Sequence, residues 1–441
     1  MLLSQVPGYF KARRDSLMKS HPDATFIFPS AEEILRNPDV HFQFRQESNF
    51  YYLTGFEEPE SFLVLAPGGS KPGSYRTILF VRKRDLEKEM WEGERYGTEG
   101  ASKVFGADEA YLTEEFDGKL PELLKGGEKI FYRLGMSEST DRRVLAGVES
   151  HRRSMGRSGK SLPPLFDPNE AIGEMRLFKT VEEVAVLRKA CQITALAHKT
   201  AMQEIRPGMN EFEAEALVDY VLRKNGCQRV GYGSIVAGGK NAACLHYRAN
   251  NEALKDGDLL LIDAGGEYGY YTSDITRTFP VGRGFTDAQA KAYDLVLKSQ
   301  MEGIAMSKPG ATLPAIHKHV CEVLTDGLLS LGLLKGSRTE ILQSNGFKRF
   351  YPHNTGHWLG MDVHDVGLYL KNGEPRQVEP GMVFTVEPGF YVQPNDSAVP
   401  AAFRNIGIRI EDDILITANG NDVLTRDVPK TRDEVEALRK Y

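Results

Sequence analysis

The sequence predicts an α+β protein of two domains: an α/β first domain, then a domain built on a mainly antiparallel sheet flanked by helices. Three observations predict it. The chain has 441 residues, more than a single hydrophobic core usually organises. A stretch rich in glycine, proline and basic residues, Ser154 to Asn169, contains Met155-Gly156-Arg157-Ser158-Gly159-Lys160 and Pro163-Pro164 and reads as an exposed connection, giving domains 1–172 and 173–441. Beyond it, apolar runs of strand length alternate with long helical periodicities.

In the first domain a polar helix is expected near Pro7 to Ser20, then short strands at Thr25 to Phe28, Phe62 to Leu65 and Ile78 to Val81. The second domain opens on a long helix: Thr180-Val181-Glu182-Glu183 forms a capping box, apolar positions recur through Ile205, and Arg206-Pro207-Gly208 stops the run. A second helix starts at Asn210 and ends near Gly226, and two more run from Thr286 to Met306 and from Thr312 to Leu331.

Between and after these helices lie five metal-capable side chains, Asp263, Asp274, His357, Glu387 and Glu411, which together can hold two divalent metals. The run Leu259 to Ile262 suits a buried strand, Gly265 and Gly266 are read as the turn, and Tyr271 to Phe279 as the return strand, so that Asp263 and Asp274 face one another. Like charges so deep in apolar sequence raise at least one pKa sharply unless a cation compensates. Glu387 ends the run Val383 to Val386, and Glu411 interrupts Ile408 to Ile416, read as one strand. Between the pairs, Tyr351 to Asp365 holds His353, His357 and His364, three of the chain's ten histidines. The i, i+4 spacing of His353 and His357 lacks the adjacent glutamate of a His-Glu-x-x-His zinc helix and encloses Gly356, which argues against that motif. Four carboxylates and one imidazole form a hard, oxygen-dominated set that suits manganese, cobalt or iron.

The ordered combination closely resembles the aminopeptidase P family, the proline-specific branch of the pita-bread (creatinase/methionine aminopeptidase) metallopeptidases. The strongest stretches are Leu261 to Pro280, His353 to Asp365, Glu379 to Tyr391 and Gly407 to Asp413, with a looser match through Arg45 to Phe56. The resemblance implies a creatinase-type first domain and a pita-bread catalytic domain with a curved sheet. It implies that Asp263 chelates one of two ions, most simply Mn2+, that Asp274 and Glu411 bridge them, and that His357 and Glu387 complete the other site. Two ions roughly 3.5 Å apart can share a hydroxide and polarise the scissile carbonyl. Glu387 is then the candidate proton shuttle, and release of the first residue from peptides with proline second, Xaa-Pro-Yaa, is the implied reaction.

Without the resemblance, His246 reads as an ordinary core histidine; with it, His246, His353 and His364 are expected to line the substrate cleft, with His246 and His364 as catalytic donors. Arg409 and Tyr391 read as polar supports, Arg409 on the same strand face as Glu411. In relatives the first domain reaches a neighbouring subunit's cleft, which makes Asp39, Trp91 and Arg157 candidates for recognising the substrate end and a homodimer or homotetramer the expected assembly. An Xaa-Pro bond has no N–H and a substantial cis population, so it needs a dedicated pocket, which the sequence does not display.

Composition narrows the partners. A net charge of −6 without a basic run gives no footprint for nucleic acid, and no apolar stretch approaches the ~20 residues of a membrane helix. Cys191, Cys227, Cys244 and Cys321 lack paired spacing and fit free thiols in the cytoplasm, and Met1-Leu2-Leu3 begins no secretory signal. Lys11-Ala12-Arg13-Arg14 has a transit-peptide flavour that Asp15 opposes. Prolidase, which takes Xaa-Pro dipeptides, is the nearest alternative; a methionine aminopeptidase lacks so large a first domain. Metal-free creatinase relatives and non-catalytic binding proteins on this scaffold lose ligands that this chain keeps.

Overall fold

Short runs of aromatic and aliphatic residues zip the first unit into a six-stranded mixed sheet in the computed structural model, which describes residues 2–6, 8–68, 74–159, 161–282 and 284–439. Its centre is Ala24–Pro29 beside Phe62–Pro67, antiparallel with Phe26 opposite Leu65. Both strands are buried almost throughout, which is why they read as unbroken apolar runs rather than as an alternation. Tyr75–Val81 and Glu109–Leu112 extend one side, Lys129–Phe131 and Leu165–Phe166 the other. The last strand lies inside the stretch expected to be a plain connection. Phe62, Val64, Ile78 and Phe80 share a core with Phe116, Leu120 and Val144 of the helices Phe116–Leu123 and Glu138–Ser154.

The opening helix is Tyr9–Ser20; Pro7 at its expected start, and Lys160 of the glycine-rich stretch, lie outside the described residues. Its basic run is structural. Arg13 and Arg14 are buried and donate to the carbonyls of Tyr52 and Leu53, near the end of the helix Ser48–Thr54, at 2.9 and 2.8 Å. The last carbonyls of a helix run out of N–H donors in their own helix, and here the two guanidiniums supply donors at that end.

The chain falls into two units, Leu2–Met175 and Arg176–Tyr441. A helix that the sequence reading missed, Asn169–Leu177, precedes the long helix Val181–Glu204. The latter carries the expected capping box on Thr180 and Glu183, and the helix Glu211–Lys224 is capped in the same way by Asn210 and Glu213. Helices Asp287–Met306 and Leu313–Ser330 follow, both N-capped by threonine.

All strand pairs recorded in the second unit are antiparallel. Ile235–Gly238, Leu259–Asp263 and Thr276–Pro280 form one sheet, and Val383–Val386, Asp412–Thr417 and Gly420–Val423 another. Gly389–Val392 pairs with Ile406–Arg409.

Three expectations are corrected here. The turn lies at Gly269 and Tyr270, both at positive φ, rather than at Gly265 and Gly266. Those two glycines serve close packing instead: a Cβ on Gly265 would stand 1.8 Å from the Ser273 carbonyl oxygen, and one on Gly266 2.6 Å from Cys227 Sγ. Second, Asp263 is opposite Thr276, and Asp274 stands two residues before its strand rather than across the ladder. Third, Ile408 to Ile416 is two strands. The ladder breaks at Ile410 and Glu411, whose N–H groups go to the Pro388 and Thr276 carbonyls, and the other chain breaks at Glu387 and Pro388, where proline has no N–H to give.

Candidate metal centre

Both glutamates therefore sit at strand breaks, where the backbone leaves its ladder and the side chain can turn inward. Asp263 ends its strand, and Asp274 begins the approach to the next. His357 arrives on a segment that runs along Val383–Val386: its N–H is donated to Thr385 Oγ1 at 3.2 Å, its carbonyl accepts from Thr385 N at 3.0 Å, and Glu387 N donates to Thr355 O at 2.8 Å. Gly356 makes this contact possible, because a Cβ there would lie 1.8 Å from the Thr385 carbonyl oxygen.

The five side chains meet in one cleft of ≈ 400 Å³. Asp274, His357 and Glu411 each offer a ligand atom within 4.8 Å of the others. His357 Nε2 is 3.4 Å from Asp274 Oδ2 and 3.7 Å from Glu387 Oε1. His357 Nδ1 lies 3.1 Å from the Trp358 carbonyl, which can only accept, so Nδ1 carries a proton and Nε2 faces the carboxylates, where it donates to Asp274 when protonated and offers its lone pair to a cation when not.

Neighbouring groups hold each carboxylate. Arg409 Nη2 donates to Asp263 Oδ2 at 2.5 Å, and the Tyr232 hydroxyl lies 2.6 Å from Asp263 Oδ1 and 2.5 Å from Asp274 Oδ1. Thr276 donates its hydroxyl to Glu411 Oε2 at 2.6 Å and accepts from Arg409 Nε at 3.1 Å. Arg409 thus supports Asp263 and Thr276; it ends the strand Ile406–Arg409, and Glu411, with which it was expected to share a strand face, lies in the break beyond. Arg409 Nη1 also donates to the Tyr391 hydroxyl at 3.1 Å; Tyr391 lies 2.9 Å from His353 Nε2, and His353 Nδ1 donates to the Asn354 carbonyl at 2.8 Å. Gly389 leaves room for that ring, since a Cβ there would be 2.4 Å from the Tyr391 hydroxyl oxygen.

A further layer fixes the backbone. Asp413 Oδ2 accepts from Asp274 N at 3.0 Å and from the Cys191 thiol at 3.3 Å. Arg277, fully buried, donates to the carbonyls of Thr276 and Glu411 at 2.9 and 2.6 Å and to Asp412 Oδ1 at 2.7 Å. His198 donates from Nε2 to the Ala264 carbonyl at 3.1 Å, beside Asp263.

The donor set fits a divalent cation. Four carboxylates converge against one buried guanidinium, Arg409. Burial first, and then the field of the neighbouring carboxylates, holds Glu411 well above the usual carboxylate range. Burial likewise pushes Glu387 up to about 7, with His357 and Arg409 pulling the other way. Burial pushes His357 down, yet its hydrogen bond to Asp274 and the charge of Glu387 outweigh that and bring it to about 9. Such an excess of buried negative charge is stable when a cation shares it.

The remaining candidates divide. His246 and His364 are exposed and line the cleft, so His246 is not the core histidine that its local sequence suggests; His364 stacks edge-on against His357 with centroids 4.3 Å apart. His353 lines it too, with both ring nitrogens engaged by protein groups. Asp39, Trp91 and Arg157 belong to the first unit and are exposed, Trp91 at 84 %. Sequence reasoning missed Tyr232, Thr276, Arg277 and Asp413. For Asp413 a signal existed: Glu411-Asp412-Asp413 is an acidic triple inside an apolar run, and all three are buried.

Metallopeptidase family M24 matches residues 185–418, and the aminopeptidase P N-terminal domain matches residues 10–132. The Xaa-Pro aminopeptidase of Escherichia coli (strain K12) is 41% identical, covering 97% of this chain and 97% of its own. Xaa-Pro aminopeptidase 3 of Homo sapiens is 35% identical, with 99% of this chain and 86% of the relative covered. Among solved structures, an aminopeptidase of Pseudomonas aeruginosa superposes with TM-score 0.94 at 44% identity over 98% of both chains. Zn-substituted Escherichia coli aminopeptidase P in complex with product gives 0.93 at 42% identity over 97% of both.

Proposed function

The chain belongs to metallopeptidase family M24, and from that membership we propose that it is a metal-dependent aminopeptidase releasing the first residue of Xaa-Pro-Yaa peptides. The fold is the two-domain aminopeptidase P fold, a creatinase-type α/β domain followed by a pita-bread domain. The observation that carries the reading is the convergence of Asp274, His357 and Glu411 within 4.8 Å in a cleft that Asp263 and Glu387 also line.

In this reading Asp263, Asp274, His357, Glu387 and Glu411 would hold two divalent ions. The oxygen-dominated set favours Mn2+. When bound, the ions supply an activated water and polarise the scissile carbonyl. Glu387, at the edge of the cluster and 3.7 Å from both His357 Nε2 and His353 Nδ1, carries the proton from water to the leaving nitrogen. Exposed His246 and His364 donate to the peptide carbonyl. Arg409, through Asp263, Thr276 and Tyr391, keeps the carboxylates and His353 in place. No serine or cysteine nucleophile is required.

Asp39, Trp91 and Arg157 are proposed to meet the substrate end from a neighbouring subunit, in a homodimer or homotetramer; light scattering showing monomers alone removes that role. The cytoplasm is the proposed address, on the four unpaired cysteines. No helix among the described residues is long and apolar enough to cross a membrane. A comparison of Xaa-Pro dipeptides with Xaa-Pro-Yaa peptides tests the reading: preference for the longer peptide is expected, and preference for the dipeptide makes the protein a prolidase.

A further inference from the structure

Arg248 lines the cleft two residues after His246 and has no part in the account above. It is exposed, and among the described residues it has neither a hydrogen bond nor an ion pair. Its place is made by a missing side chain. A Cβ on Gly233 would lie 3.1 Å from Arg248 Nη1 and 3.8 Å from its Cζ, so the guanidinium rests over the Gly233 backbone. Gly233 follows Tyr232, whose hydroxyl touches Asp263 and Asp274. The cation is therefore held beside the carboxylate cluster and outside it, in contrast to buried Arg409, which is committed to Asp263, Thr276 and Tyr391.

Divalent ions in the centre offset the four carboxylates without Arg248. What remains is an unpaired planar fork of N–H donors on the wall of a peptide cleft, the geometry that suits a carboxylate. The direction of the substrate decides which carboxylate. An aminopeptidase leaves one residue on the amino side of the scissile bond, so whatever runs from the buried cluster to the open mouth is the carboxyl-terminal part of the peptide. We propose that Arg248 is a specificity residue that binds a carboxylate carried after the proline, either the C-terminus of a short peptide or an acidic side chain. This rests on the Xaa-Pro reading above.

The test uses the leaving peptides, which bind without being consumed. Calorimetry on the manganese-loaded protein compares Pro-Ala, Pro-Ala-NH2 and Pro-Glu-NH2. Pro-Ala is expected to bind about five-fold tighter than Pro-Ala-NH2, the size of an exposed ion pair, and less so as salt rises. Arg248→Gln brings that ratio to about one, and Arg248→Lys keeps part of it. Tighter binding of Pro-Glu-NH2 than of Pro-Ala-NH2 assigns the site to side-chain carboxylates as well; equal binding of these two restricts it to the terminus. Pro-Ala and Pro-Glu-NH2 both binding no tighter than Pro-Ala-NH2 in the parent protein, or a preference unchanged in Arg248→Gln, overturns the proposal. Hydrolysis reports separately: if no Xaa-Pro-Yaa peptide is cleaved, the Xaa-Pro reading falls while the binding ratio still judges Arg248.

Discussion

Thr276 donates its hydroxyl to Glu411 Oε2 across 2.6 Å, tying the strand opposite Asp263 to a carboxylate 135 residues further along the chain. Thr276→Val removes that donor and leaves the shape nearly unchanged. Manganese affinity, read by calorimetric titration, is expected to fall about ten-fold or more, and Thr276→Ser to retain most of it. Equal affinity in all three proteins shows that Glu411 needs no such orientation.

Glu387→Gln keeps the volume of the side chain and removes its capacity to carry a proton. Turnover of Xaa-Pro-Yaa is expected to drop by about a hundred-fold or more, with metal content measured on the same sample. A near-normal rate at full metal content assigns the proton transfer elsewhere.

The Arg277–Asp412 pair is fully buried, at 2.7 Å, and removing one partner strands the other. Arg277→Met should destabilise the fold by about 3–5 kcal/mol in urea unfolding with chelator present. Lys430, which reaches the other Asp412 oxygen at 2.7 Å from a more open position, should cost less when replaced by Met.

His198 makes part of the stability depend on pH. Burial lowers its pKa from 6.5 to about 4, so between these values the unfolded chain takes a proton that the folded chain refuses. Its contribution is complete above about pH 6.5 and is lost as pH falls toward 4. Between pH 7 and pH 5 the loss is about 2 kcal/mol, and His198→Gln should remove that slope, as unfolding free energies at the two pH values will show.

Much of the candidate centre was legible because several of its carboxylates break local rules. Asp263 ends a run of four apolar residues, Glu387 ends another, and Glu411 interrupts a third; charges in such places demand a partner. The helix ends were legible for a different reason, since Thr180, Asn210 and Thr286 cap from within their own turn. What stayed hidden depends on contacts between distant segments. Tyr232, Thr276 and Arg277 look like ordinary strand or loop residues until the strands are paired. Gly265 reads as a turn residue, yet it, Gly356 and Gly389 are each a place where a side chain would collide with backbone or ring. The break between Arg409 and Glu411 is hidden because Ile408 and Ile410 before the acidic triple and Ile414 and Ile416 after it keep the same period-2 face.

The most direct measurement titrates manganese into metal-stripped protein while following bound metal and release of the first residue from Xaa-Pro-Yaa and Xaa-Ala-Yaa. The account predicts that activity appears only with metal, rises to saturation near two ions per chain, and is confined to Xaa-Pro-Yaa. Full metal binding with no release from Xaa-Pro-Yaa, or release that needs no metal, contradicts it.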